Sequence, residues 1–330
     1  MGFWIWDFGF LVPNRYNFLH SRFLMAKKKS NIQNRSELLA VRSLLGAIGA
    51  LPLETSMRFG KAAGKFLAKQ FPKLQKTARR NLEIALPELT ETEREKIVHG
   101  TFESLGRHLG FVSHFRKFKH EDIRDLVEVV GKAHFDKAHE TGRGILFFTG
   151  HFGSWEVFNL LPPAFGYGMN ILVRRIDNPL VENFVDKMRT RFGSVTLDKT
   201  KSARTMFRAL ENGQLLGILA DLNVQEKEGV FVNFFGVPAS TTTSIAKLAI
   251  KTDAVVLPAF AVWEESKKKY VVYLEPPIEY AKGDSSPENI CELTQKITTT
   301  VEKYVRQYPE QWLWIHKRWN TRPPGEANLY

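Results

Sequence analysis

The sequence predicts an α/β fold: a mostly parallel central sheet flanked by helices, with a helical basic portion ahead of it. Three observations carry this. From about residue 141, short apolar runs alternate with stretches that have helix-entry chemistry, the pattern of strand–helix–strand units. The composition, 43% hydrophobic and 25% charged, is that of a globular chain with a sizeable core. The net charge of +12 is confined to one end: residues 1–80 carry 15 Lys and Arg against Asp7, Glu37 and Glu54, and residues 81–330 balance. A basic end beside a neutral body suggests docking on an anionic surface rather than bulk affinity for nucleic acid. The single cysteine, Cys291, excludes a disulfide scaffold and a multi-cysteine zinc site.

Residues 1–35 read as an N-terminal extension, of which residues 1–25 precede Met25-Ala-Lys-Lys-Lys. The extension has no signal-peptide cleavage site and no myristoylation signal. Residues 36–80 read as basic, amphipathic and helical. Leu38, Leu39, Leu44, Leu45, Ile48 and Leu51 form an apolar face, and Met57, Phe59, Phe66 and Leu67 interleave with Arg58, Lys61, Lys65, Lys69 and Lys73. Pro52 and Arg42 interrupt the longest apolar window well short of the ~18 residues a membrane span needs. Such a face suits a helix lying among lipid headgroups, where each basic residue contributes roughly 1 kcal/mol on an anionic leaflet. A solvated helix packed on the domain is the alternative.

Residues 81–330 read as one α/β domain. Its apolar runs are 144–149, 170–173, 215–220, 254–262 and 270–274. Asn178-Pro179 offers a cap followed by proline at the first helical position, Ser240 to Thr243 offer another entry before Ile245, and a last helix covers about 286–307.

Loops at the carboxyl edge of such a sheet carry the chemistry. The first run ends Thr149-Gly-His-Phe-Gly-Ser-Trp-Glu156. His151 suits proton abstraction from a hydroxyl near neutral pH, and Ser154 is expected to cap the next helix. Glu156, in that helix's first turn, is then expected to reach back and fix the imidazole tautomer. His120 and Asp125 have the same spacing, but they lie in a charged stretch with no strand before them. Arg174 and Arg175 end the second run and could clamp a phosphate, or could pair with Asp177 or Glu182. Arg189 ends the next helix and could merely complement its dipole. Asp221 ends the run at Ala220, placed to hold a substrate hydroxyl or a basic partner. Gly236, ahead of Ser240 and Thr241, suggests a glycine turn entering a helix, a natural phosphate pocket. Trp312, Trp314 and Trp319 read as core packing rather than base stacking, so no nucleic-acid partner is expected.

The segment Gly144-Ile-Leu-Phe-Phe-Thr-Gly-His-Phe-Gly-Ser-Trp-Glu156 resembles the HxxxxD/E block of glycerolipid acyltransferases. More closely, the chain is similar to the bacterial lipid A biosynthesis acyltransferases that add secondary lauroyl or myristoyl chains. The likeness runs from about residue 40 onward: Ala78-Arg-Arg-Asn-Leu-Glu83, Arg174 before Asp177-Asn-Pro-Leu180, Glu228 to Gly236 with Thr241, and Pro309 to Arg318. The chain has Ser154 and Leu222 where members often have Asn and Gln, and it lacks the FPEGTRS block of the glycerol-phosphate relatives.

The resemblance implies an enzyme lying peripherally or monotopically on the cytoplasmic face of a bacterial inner membrane, without metal or cofactor. Its donor would be acyl carrier protein or acyl-CoA, its acceptor a membrane glycolipid such as a lipid A precursor, another lysolipid or a mannosylated lipid. His151 would be the general base, Glu156 its partner and Arg174 a phosphate contact. A non-catalytic membrane adaptor is the alternative of a different class.

Overall fold

The structure is a computed structural model, and it describes residues 30–330. The expected N-terminal extension lies almost wholly outside the described residues. The first helices are α1 (Asn31–Ala50), α2 (Leu53–Ala68), α3 (Pro72–Ala85), α4 (Glu91–Val112) and α5 (His120–Leu126). Then β1 (Val127–Val130), α6 (Lys132–Glu140), β2 (Ile145–Thr149), α7 (Leu161–Ala164), β3 (Met169–Val173), α8 (Pro179–Arg189) and β4 (Val195–Asp198) follow. The chain continues through α9 (Ala203–Glu211), β5 (Leu215–Leu219), β6 (Gly229–Phe234), β7 (Val237–Thr242) and α10 (Ser244–Thr252). It closes with β8 (Val255–Glu264), β9 (Lys269–Leu274) and α11 (Pro287–Gln307).

Seven strands form one sheet in the order β1-β9-β8-β2-β5-β3-β4. Every neighbouring pair is parallel except β8–β9. β2 is buried along its whole length, as expected of an apolar run between helix layers. The fold class is the one predicted.

Two local expectations fail. Residues 237–242 are strand rather than helix entry, and they pair with β6 in a separate two-stranded ribbon. Phe235 and Gly236 join the ribbon in a two-residue turn, both with positive φ, which is the geometry that matches strand twist. Gly236 therefore sits at a hairpin tip, with its N–H on the Asn233 side-chain oxygen, and opens no helix. Ser154 caps nothing either: a short 3-10 turn, Trp155–Asn159, follows it, and its hydroxyl bonds to His108 Nδ1 at 3.0 Å.

α2 and α4 approach so closely that only glycine fits at the crossing. A Cβ at Gly60 would strike the Gly106 carbonyl, and one at Gly106 would strike that of Gly60. Gly64 meets Phe102 and Gly110 meets Ser56 in the same way. Gly106→Ala should gain about 1 kcal/mol of helix propensity but lose about 1–3 kcal/mol to overpacking against rigid backbone. We expect a net fall in the urea midpoint; a midpoint at or above that of the parent would show that the helices do not touch here.

Outside the core, Ile32 and Leu39 of α1 (81% and 67% exposed) and Phe59 and Phe66 of α2 (53% and 64%) face outward. Phe59 and Phe66, seven residues apart, share a face with exposed Arg58, Lys65 and Lys69. Among the described residues, no helix is long and apolar enough to cross a membrane.

Candidate active site

β2 and β5 run side by side with Thr149 opposite Leu219, and the Ala220 N–H donates to the Thr149 carbonyl at 2.9 Å. Two residues past those partners stand His151 and Asp221, at the same carboxyl edge. The backbone packs tightly around them. Gly153 has φ near +46°, and a Cβ there would collide with the Ala261 carbonyl, so the turn after the histidine requires glycine.

His151 Nδ1 lies 2.8 Å from Asp221 Oδ1. Asp221 Oδ2 accepts the His151 backbone N–H at 2.7 Å and the Trp312 indole N–H at 2.8 Å. Trp312 comes from the C-terminal segment, which forms a bridge with Phe152 and receives the Gly153 N–H at the Gln311 carbonyl. Burial by itself would push the Asp221 carboxyl up; the His151 charge and these donors outweigh it and hold the group at about 2. An ionised Asp221 fixes the proton of a neutral imidazole on Nδ1 and leaves the lone pair on Nε2. Among the described residues, Nε2 has no hydrogen-bond partner.

The expected His151–Glu156 pair does not form. Glu156 Oε2 accepts from Arg189 Nε at 2.9 Å and from Asn159 Nδ2 at 2.5 Å, and Arg189 Nη2 binds Oε1. The 3-10 turn carries this carboxylate toward α8, away from Nδ1. Both ions are buried, and each steadies the other. Desolvation would raise the Glu156 carboxyl and lower the Arg189 guanidinium, and their mutual attraction reverses both directions. Arg189 is thus committed to Glu156 rather than open to a substrate.

His108 and His316 flank the pair. Burial is the main cause that lowers them, to about 3 and about 4, so neither is charged at neutral pH. His108 stacks on Trp155 at 4.4 Å, and Trp155 meets the His151 ring edge-on at 5.1 Å. His108, Leu109, Val112 and Phe115 of the α4 side face Val185 and Met188 of α8 across a narrow apolar cleft that ends on the Glu156–Arg189 pair.

The remaining expected site residues lie apart. The Arg174 side chain is about half exposed and sits 3.6 Å from Asp177, while Arg175 binds Glu182 and Asp186 at 2.7 and 2.8 Å. Thr241 is buried in β7, where its hydroxyl accepts from Arg318 at 2.5 Å; Gly236 is at the hairpin tip. Neither belongs to a phosphate pocket at a helix start. Among the described residues, no three His, Cys, Asp or Glu side chains gather as metal ligands would. The sequence reads Trp312 as core packing, since nothing local marks one indole among three as facing Asp221. Asp221, marked in the sequence by its place at a strand end, has His151 as its basic partner.

The sequence profile described as bacterial lipid A biosynthesis acyltransferase matches residues 26–321. The chain belongs to that family. Among curated proteins, this family member is 30% identical over 293 residues to the lipid A biosynthesis lauroyltransferase of Escherichia coli K12, covering 87% of this chain and 92% of that one. It is 28% identical to the lipid A biosynthesis palmitoleoyltransferase of the same organism, over 83% of this chain and 86% of the relative. The lipid A biosynthesis myristoyltransferase of that organism is 24% identical, over 83% of this chain and 82% of its own length. A solved 1-acyl-sn-glycerophosphate acyltransferase from Thermotoga maritima aligns at 15% identity with a TM-score of 0.36, covering 78% of this chain and 99% of that one. The chain is an acyltransferase by family.

Proposed function

We propose that this acyltransferase moves a fatty acyl group from a thioester, carried by acyl carrier protein, to a hydroxyl of a lipid A precursor. His151 is the general base. Its Nε2 takes the proton from the acceptor hydroxyl as that oxygen attacks the thioester carbonyl. The tetrahedral intermediate collapses, the C–S bond breaks, and the Nε2 proton passes to the departing thiolate. An ester and a free thiol result. Asp221 holds the imidazole and stabilises the imidazolium formed in between, and Trp312 holds Asp221. A thioester is already activated, so positioned general-base catalysis, typically worth 10²–10⁴-fold, acts beside orientation of the two substrates.

The observation that carries this reading is the buried His151–Asp221 contact at a strand edge with Nε2 left without a partner. The acceptor is taken from the relatives' lipid A chemistry. The exposed apolar and basic residues of α1 and α2 support residence on an anionic leaflet, which we place at the cytoplasmic face of the inner membrane. The carrier-protein donor is the one an acidic protein meeting this basic end would supply.

The test is transfer from a lauroyl thioester, on carrier protein and on coenzyme A in parallel, to an incompletely acylated lipid A precursor followed by mass spectrometry. His151→Ala should lose about 10²–10⁴ in rate beyond any fall in the folded fraction, which melting curves of parent and variant correct for. A rate within threefold of the parent would remove His151 from the reaction and favour a non-catalytic adaptor.

A further inference from the structure

Two arginines lie over one ring, and a third bonds to the backbone of one of them. The Arg42 guanidinium of α1 lies 5.9 Å from the Phe184 centroid, and that of Arg116, just past α4, lies 5.5 Å from the same centroid. Arg191, past the end of α8, donates to the Arg116 backbone carbonyl. All three are exposed, and among the described residues none has a carboxylate partner. Other arginines differ: Arg79, Arg175 and Arg189 are each bound to a carboxylate. Like charges gathered without counter-ions repel, and such a cluster is relieved by an anion that two or three planar forks can grip together.

Position narrows the anion. On α1, Ile32, Arg35, Leu39 and Arg42 are exposed along one stripe, so apolar side chains alternate with basic ones at the level of the cluster. That is the arrangement of a surface resting at headgroup depth. Phe115 and Val185, the chain neighbours of Arg116 and Phe184, wall the cleft that ends on Glu156 and Arg189. The arginines thus lie next in chain to walls of that cleft, and the apolar–basic stripe favours an amphiphile with an anionic group as the ligand.

We propose that Arg42, Arg116 and Arg191 form a receptor for a phosphate monoester borne by the lipid acceptor, a specificity site separate from the His151–Asp221 pair. The identification of the ligand as the acceptor rests on the acyltransferase reading; the binding itself does not.

The experiment measures equilibrium binding of the full chain carrying His151→Ala, so that nothing turns over, to zwitterionic vesicles. The vesicles contain either a phosphorylated glucosamine-disaccharide lipid or the same lipid after phosphatase treatment. We expect at least a tenfold preference for the phosphorylated form, falling to twofold or less in Arg42→Gln/Arg116→Gln/Arg191→Gln. Because all three side chains are on the surface, melting temperature should stay level, and a series of single Arg→Lys variants restores charge without the fork and should recover part of the preference. A charge-matched control, Lys227→Gln/Lys247→Gln/Lys251→Gln, should keep it whole.

The proposal is overturned if the preference survives in the arginine triple variant or if the lysine control abolishes it equally. It is also overturned if phosphatidylglycerol vesicles without the glycolipid show the same loss, which would make the cluster a general membrane contact. Competition by an equal concentration of inorganic phosphate would mark a free-phosphate site and equally overturn it. Absence of acyl transfer by the unsubstituted chain would sink the acyltransferase reading while leaving this binding result in place.

Discussion

Asp221→Asn is expected to lower kcat about 10²–10⁴-fold, with KM for donor and acceptor little changed. The amide has one acceptor where the carboxylate served three N–H groups. With its oxygen on the His151 and Trp312 N–H groups its NH2 faces Nδ1, which imposes the wrong tautomer and brings no charge to steady an imidazolium in a buried site. Steady-state rates at saturating donor provide the measurement, and a kcat within threefold of the parent would take Asp221 out of the mechanism. The same substitution has a signature in stability. The Asp221 carboxyl sits at about 2 in the folded chain against an ordinary 3.8, so ionisation favours the folded state. That contribution, about 2 kcal/mol, is complete above the ordinary value and is lost as pH falls toward 2. Melting curves of parent and variant should therefore stand apart at pH 6 and converge as the pH approaches 2.

Glu156→Ala is expected to destabilise the fold by about 3–5 kcal/mol, because it strands a buried arginine without its counter-charge. Activity should fall with the folded fraction. Adding Arg189→Met removes the stranded charge and should recover most of the stability, since replacing a buried ion pair by apolar groups is often neutral. Denaturant titration of the single and double variants separates this role from a direct one. If Glu156 instead orients the imidazole, the single variant would keep its unfolding midpoint and lose rate, and the double variant would recover nothing. Of the two carboxylates near His151, Glu156 joins the His151 loop to α8 through Arg189, and Asp221 binds the imidazole itself.

Strands buried on both faces were readable from apolar runs alone: β2, β5 and β8 fall within a residue or two of the runs that predicted them. β1 (Val-Glu-Val-Val) and β4 (Val-Thr-Leu-Asp) were passed over. Each is four residues long at an edge of the sheet, with partial exposure that erases the signal. The β6–β7 ribbon was misread because Gly236 before a run of hydroxyl residues is also how a helix start looks; the two-residue turn that decides it depends on Val237 pairing back onto Phe234. At the site, His151 and Asp221 were both marked as strand-end residues, yet their contact needs β2 and β5 to be neighbours. Strand order is a property of the packed sheet that no local pattern states. Glu156 was assigned to His151 because it is near in sequence, and the arginine that claims it lies 33 residues further on.

The glycine crossing of α2 and α4 also bears on how the enzyme sits. The backbones of the two helices meet at three places, Gly60 with Gly106, Gly64 with Phe102 and Gly110 with Ser56, which leave no room for a side chain between them. Phe59 and Phe66 ride on one helix of that pair, and His108 and Leu109 on the other. If Phe59 and Phe66 rest in a leaflet as proposed, their depth and tilt would be passed through this crossing to the wall of the cleft. The standoff between bilayer and His151 would then be set by the scaffold, with a lipid rising to meet it rather than the protein stooping to reach the lipid.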